Sequence, residues 1–184
     1  MVIGLCGKSG SGKSTIAKLI VETKSNAFHY DIDKIGYQVM EIPEVQNEAI
    51  KCFGEQIVTN GQIDRKKLAE MVFNSIDEMN KLAGITWKHM MKVLDAVIND
   101  NKDKIVILDW ILLSKTKYFD MCDLKILVDM PLEIRRQRAM KRDNITSSDF
   151  DLREKASITY DNSKFDMVVK CNDINEVRKM VKKI

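Results

Sequence analysis

Residues 7–14 read Gly-Lys-Ser-Gly-Ser-Gly-Lys-Ser, which satisfies the phosphate-loop pattern G-x-x-x-x-G-K-S/T. No other feature of the chain restricts its fold as strongly. Such a loop needs a strand to deliver it and a helix starting beneath it. Its glycines let backbone N–H groups close around phosphate oxygens, and the helix N-terminus adds a positive field. Both flanks are present. Val2-Ile3-Gly4-Leu5-Cys6 is predicted as a short buried strand, and Ser14 to Val21 as a helix start. A chance match in a Gly/Ser-rich loop is therefore the weaker reading. Gly7, Lys8, Ser9, Gly10, Ser11, Gly12, Lys13, Ser14 and Thr15 become candidate nucleotide-binding residues. Lys13 can reach β- and γ-phosphates, and the Ser14 hydroxyl can ligate Mg²⁺.

The 184 residues allow one domain with room for an inserted lid or subdomain. An apolar fraction of 45% is enough for a core. The formal charge of +3 gives no argument for nucleic acid, yet does not repel a polyphosphate. Cys6, Cys52, Cys122 and Cys171 lie far apart with no C-x-x-C pair, so neither a zinc site nor a redox motif is visible. Scattered single cysteines suit reduced, cytosolic core positions. The sequence opens directly into a strand without a signal peptide, and no apolar run approaches a membrane span. The expectation is a cytoplasmic protein, monomeric or weakly oligomeric, with no nucleic-acid and no membrane partner.

Beyond the first strand and helix, Ala27 to Tyr30 is predicted as a second short strand ending at Asp31-Ile32-Asp33. A long, mostly helical middle follows from Lys34 to Asp100, with Leu82, Ile85, Met90, Val93, Leu94 and Val97 at helical spacing. Lys104–Leu108 and Leu124–Val128 are continuous apolar runs of the kind buried on both faces of a sheet. Pro131 suits the first position of a helix. Met167-Val168-Val169 is the last strand, followed by a helix from about Asn175. This alternation implies an α/β, three-layer P-loop fold. A parallel sheet of about five strands lies between helices, and ligands sit at the strands' carboxyl ends. The organisation is a single domain with a helical acceptor-binding insertion over approximately 34–100 and a lid over approximately 134–150.

Four further groups could carry chemistry. Strand alternation would put Asp31 and Asp33 on one side, where one could take a proton from an acceptor hydroxyl. A helix N-cap before Lys34 is the competing use of such an Asp, and one can cap while the other, Asp33, works. Asp109 ends an apolar strand, the position from which a carboxylate holds Mg²⁺; a plain polar strand end is the alternative. Arg138 and Arg142, four residues apart, share one helical face and can neutralise charge on a transferring phosphoryl group. A basic run is more often a solvated face, but a phosphate loop in the same chain favours a phosphate-facing lid. Asp64 resembles an N-cap after a Gly61 turn. Its neighbour Arg65 suits either an anionic acceptor or a surface ion pair. His89, on the apolar stripe of the middle helix, reads as a satisfied, partly buried histidine.

Together these residues resemble the dephospho-CoA kinase family, over nearly the whole chain from Met1 to about Asn172. Asp31-Ile32-Asp33-Lys34-Ile35 is similar to D-A-D-x-I. Gly61-Gln62-Ile63-Asp64-Arg65 with Leu68 and Phe73 is similar to G-x-I-D-R-x-x-L-x-x-x-x-F. Gln137-Arg138 with Arg142-Asp143 is similar to Q-R-x-x-x-R-D. The resemblance implies ATP as donor, Mg²⁺ as a required ion and the 3′-hydroxyl of dephospho-CoA as acceptor. It also implies Asp33 as base, with Arg138 and Arg142 acting from the lid.

Departures from the family pattern fall on the acceptor side. Tyr37 stands where an arginine is expected, and Trp87-Lys88 where His-Pro is expected, with His89 out of register. Lys115 replaces a carboxylate in Ile111-Leu112-Leu113-Ser114-Lys115, and Cys171-Asn172-Asp173 replaces Asn-x-Gly. Two alternatives follow: a kinase for another small hydroxyl or nucleotide acceptor, or a nucleotide-binding module without transfer activity.

Overall fold

The computed structural model describes residues 1–73, 75–170 and 174–184. Its framework comes from apolar runs too short for helices. Val2–Cys6 (β1) leads into the phosphate loop and then Lys13–Thr23 (α1). Ala27–Asp31 (β2) passes without a break into Ile32–Val39 (α2). Pro43–Phe53 (α3) starts on a proline, whose fixed φ and missing N–H cost nothing in a first turn. Val58–Thr59 (β3) and Gln62–Ile63 (β4) pair antiparallel through a turn with positive φ at both Asn60 and Gly61. Arg65–Phe73 (α4) and the long Ile76–Asp100 (α5) follow. Next come Ile105–Asp109 (β5), Lys117–Asp120 (α6) and Leu124–Val128 (β6). The chain ends with Leu132–Asp143 (α7), Ser147–Lys155 (α8), Met167–Val169 (β7) and Ile174–Lys183 (α9).

Five strands form one parallel sheet in the order β2-β5-β1-β6-β7. β1 lies at its centre between β5 and β6; on one side the chain runs first to the edge strand β2 and returns inward to β5, and on the other it runs outward through β6 to β7. The phosphate loop therefore leaves the sheet at the switch point where α/β folds bind ligands. Ile3, Leu5, Ile107, Ile126 and Val128 form one face, covered by Ile16, Ala17 and Ile20 of α1 and by Val177 and Val181 of α9. At Gly4, the intervening position, the other face meets Leu113 and Cys122. The expected five-stranded α/β fold is thus present.

The chain divides into two compact units, Met1–Asp31 with Asp100–Ile184, and Ile32–Asn99. The second unit has its own core of Ala49, Phe53, Ile57, Leu68 and Val72. Among the described residues no helix is long and apolar enough to cross a membrane.

Several local expectations change. The middle segment is interrupted by the β3–β4 hairpin, whose strands are too short to show an alternating pattern. β2 stops at Asp31 and helix starts at Ile32, so strand alternation does not carry to Asp33. Pro131 is the N-cap of α7, one residue before its first turn. Cys6 and Cys122 are core residues as expected, but Cys52 is exposed.

Candidate active site

The site grows from the way α1 packs on the sheet. Parallel pairing sets Asp31 beside Asp109 at the carboxyl ends of β2 and β5. Because α1 covers that face, its first residues meet the strand ends. Lys13 Nζ donates to the Gly7 carbonyl at 2.9 Å and lies 3.9 Å from Asp109 Oδ1. The Ser14 hydroxyl donates to Asp109 Oδ2 at 3.1 Å. Asp109 is 4% exposed and so is held as a buried acceptor.

Three observations fit this loop to a polyphosphate. Gly12 is left-handed at the N-cap of α1, and no side chain caps the helix there. Ser11 is 1% exposed and its Oγ is without a hydrogen-bond partner. Gly10 has φ +78, and a Cβ there would collide with the Arg135 backbone, so only glycine lets the loop lie this close to α7. The Ser14–Asp109 pair fits Mg²⁺ as well. The hydroxyl spends its hydrogen on the carboxylate and keeps its lone pairs for a hard cation. Among the described residues no group of three or more His, Cys, Asp or Glu is placed to hold a metal.

The basic helix is only partly a solvated face. Arg138 and Arg142 line a cavity of about 210 Å³ together with Gly10, Ser11, Gly12, Lys13, Ser14 and Thr15. Arg142 Nη2 donates to Ser9 Oγ at 3.1 Å, and its Nε donates to Asp143 at 2.7 Å. Arg142 holds the Asp143 carboxyl below the usual carboxylate range. Arg136 instead bridges Glu133 and Asp151.

Four residues of this region escaped the sequence reading. Arg135 is buried, donates from Nε to the Met130 carbonyl and grips Glu154 with both terminal nitrogens. Glu154 also accepts from Lys8 Nζ at 2.7 Å. Arg135 first, and Lys8 after it, hold the Glu154 carboxyl down at about 2. Tyr160 Oη accepts from the Gly7 N–H at 3.1 Å and donates to the Ile111 carbonyl at 2.7 Å, tying the loop's start to the segment after β5. His29 Nε2 lies 3.2 Å from Asp109 Oδ2. Only His29 had a usable signal, since it stands two residues before Asp31 and so shares its face of the strand. Arg135 and Glu154 depend on the packing of α7 against α8, and Tyr160 on a loop that returns to the start of the phosphate loop. The thiol of Cys6, at the mouth of the loop, is pushed up to about 12 by burial, which leaves it a core residue rather than a nucleophile.

Asp33, Asp64, Arg65, Lys88 and His89 lie in the second unit. Asp33 is the acidic residue of the first turn of α2. Asp64 caps α4 as expected, accepting from the N–H groups of Lys66 and Lys67. Arg65 is exposed, pairs with Glu41 at 3.0 Å and lies over the Tyr37 ring, 5.4 Å from its centroid. Lys88 pairs with Glu48 at 2.6 Å. His89 departs from expectation, because its Nε2 is buried with no hydrogen-bond partner. Lys115 ends a short turn, Leu113–Lys115, in the first unit. Cys171-Asn172-Asp173 and the side chain of Phe73 lie outside the described residues.

Comparison with known proteins gives a consistent result. A family model described as dephospho-CoA kinase matches residues 1–176. A dephospho-CoA kinase of Aquifex aeolicus is 34% identical over 188 residues, covering 99% of this chain and 94% of the relative. One of Fusobacterium nucleatum is 37% identical over 146 residues, covering 79% and 75%. Among solved structures, TT1252 from Thermus thermophilus superposes with a TM-score of 0.85 at 25% identity, covering 100% of this chain and 94% of that one. A shikimate kinase from Acinetobacter baumannii, at TM-score 0.51 and 13% identity, covers 99% and 89% and shares the fold.

Proposed function

From the premise that the chain belongs to the dephospho-CoA kinase family, we propose that it transfers the ATP γ-phosphoryl group to the 3′-hydroxyl of dephospho-CoA, giving coenzyme A. As a P-loop kinase it uses ATP and acts on a small molecule. Lys13 and the backbone of the loop hold the phosphates. Ser14 and Asp109 would hold Mg²⁺, which when bound neutralises charge on the β- and γ-phosphates. Asp33 takes the proton of the attacking hydroxyl, and Asp31 and Arg65 bind the acceptor. Arg138 and Arg142 stabilise the charge that spreads over the phosphoryl oxygens in the transition state.

The observation that carries this reading is the cavity shared by Arg138, Arg142 and Gly10–Thr15. Holding a nucleotide needs the loop alone. Transfer also draws on cations that neutralise the moving phosphoryl group, and Arg138 and Arg142 are the residues of this helix that border the loop's cavity.

A panel of acceptors with γ-labelled ATP tests the proposal. Dephospho-CoA should take label on its 3′-hydroxyl faster than any nucleoside, nucleotide or other small alcohol. Dominant labelling of another acceptor would reassign the substrate. ATP binding with no transfer to any acceptor would leave a nucleotide-binding module.

A further inference from the structure

We propose that His29 is a positioning residue for the metal–nucleotide site, holding Asp109 so that Ser14 presents its oxygen to Mg²⁺. The proposal rests on the donor-site reading above and is independent of which acceptor is used. Nothing in the phosphate-loop pattern calls for a histidine at this place.

The geometry is local to one face of the sheet. His29 lies on β2 opposite Ile107, and Asp31 lies opposite Asp109, so residues 29, 31 and 109 share the face that α1 covers. His29 Nε2 reaches Asp109 Oδ2 at 3.2 Å. An ionised carboxylate only accepts, so the imidazole nitrogen is the donor in this contact. The Ser14 hydroxyl donates to the same Oδ2 at 3.1 Å. Asp109 Oδ1 faces Lys13 Nζ at 3.9 Å.

Two consequences follow. Turning the carboxylate about its Cβ–Cγ bond carries Oδ2 away from both of its donors. With Oδ2 fixed as acceptor, the Ser14 hydrogen stays on the Asp109 side and the lone pairs point away from it. A cation ligand needs that orientation. Partners one bond behind a metal ligand commonly change metal affinity by about 10- to 100-fold when removed. The His29 side chain is one-fifth exposed, so its loss opens a gap at the rim of the sheet rather than in its centre.

The test measures binding of a non-hydrolysable ATP analogue by calorimetry, across a Mg²⁺ series and in EDTA. His29→Leu keeps the bulk and removes the donor, and His29→Gln restores an N–H donor. The expected result is about a tenfold higher Mg²⁺ requirement in His29→Leu, return to within about threefold in His29→Gln, and unchanged affinity in EDTA for both. An unchanged Mg²⁺ requirement in His29→Leu would overturn the proposal. So would a Gln variant as impaired as the Leu variant, or an equal loss of binding in EDTA, which would make His29 merely structural. A wild-type protein that binds the analogue without regard to Mg²⁺ would overturn it too. Failure of the acceptor panel would leave these measurements untouched.

Discussion

Arg135 and Glu154 form a forked ion pair between α7 and α8, with Nη1 to Oε2 at 2.7 Å and Nη2 to Oε1 at 2.9 Å. The guanidinium is buried and the carboxylate also takes Lys8 of the phosphate loop, so one acid joins α7 and α8 to the loop. Its pKa in the folded protein, about 2, is below the ordinary 4.5. Glu154 therefore stabilises the fold fully above pH 4.5 and loses that contribution as pH falls towards 2. The contribution is on the order of 2–3 kcal/mol. Denaturant melts of Glu154→Gln should show lower stability at pH 7 and a flatter acid limb between pH 4.5 and 2. An acid limb identical to wild type would show that the pair contributes nothing.

Gly10→Ala should damage the loop rather than the sheet. The position needs φ +78 and has no room for a Cβ beside the Arg135 backbone. A cost of about 1–3 kcal/mol is expected from the strained conformation. Thermal melting should drop accordingly, and ATP affinity should fall by about tenfold or more by titration. Wild-type ATP affinity in this variant would mean that the loop and α7 separate freely.

Asp33→Asn should lower kcat by about 10²–10⁴-fold, the range for losing a general base. ATP affinity should stay within about twofold, because the residue lies outside the phosphate loop. Single-turnover kinetics with saturating ATP reads the chemical step directly. A change in KM alone would assign Asp33 to acceptor binding.

Arg138→Ala and Arg142→Ala should each lower kcat by about 10²–10³-fold. Ground-state ATP affinity should change by less than about tenfold in the same proteins. The double variant should fall short of the product of the singles, since both side chains serve one cavity. Lysine at either place should rescue poorly, because a point charge does not reproduce the planar fork. Full rescue by lysine would reduce the role to simple charge.

Much of the site could be read from short spacings. The phosphate loop, the strand-end Asp109, the N-cap Asp64 and the i, i+4 pair Arg138 and Arg142 all depend on residues within one or two turns or along one strand. Local backbone geometry decides such features. Strand alternation does not carry to Asp33, because β2 gives way to α2 after Asp31, and a change of period between adjacent residues leaves no mark in a five-residue window. The hairpin at 58–63 was missed for a related reason: two-residue strands are held by the turn at Asn60-Gly61, not by a hydrophobic pattern.

By itself the sequence determined the loop chemistry, the α/β alternation and the family resemblance, because each is written in residues close along the chain. Tertiary structure alone decided which distant groups meet. β2 lies beside β5, which puts His29 on Asp109 from 80 residues away. α8 folds back on α7, which gives Glu154 both Arg135 and Lys8. Strand order and helix packing are set by burial of the whole core. A single hydrogen-bonding side chain contributes little to that burial, so its partner appears only once the core has formed.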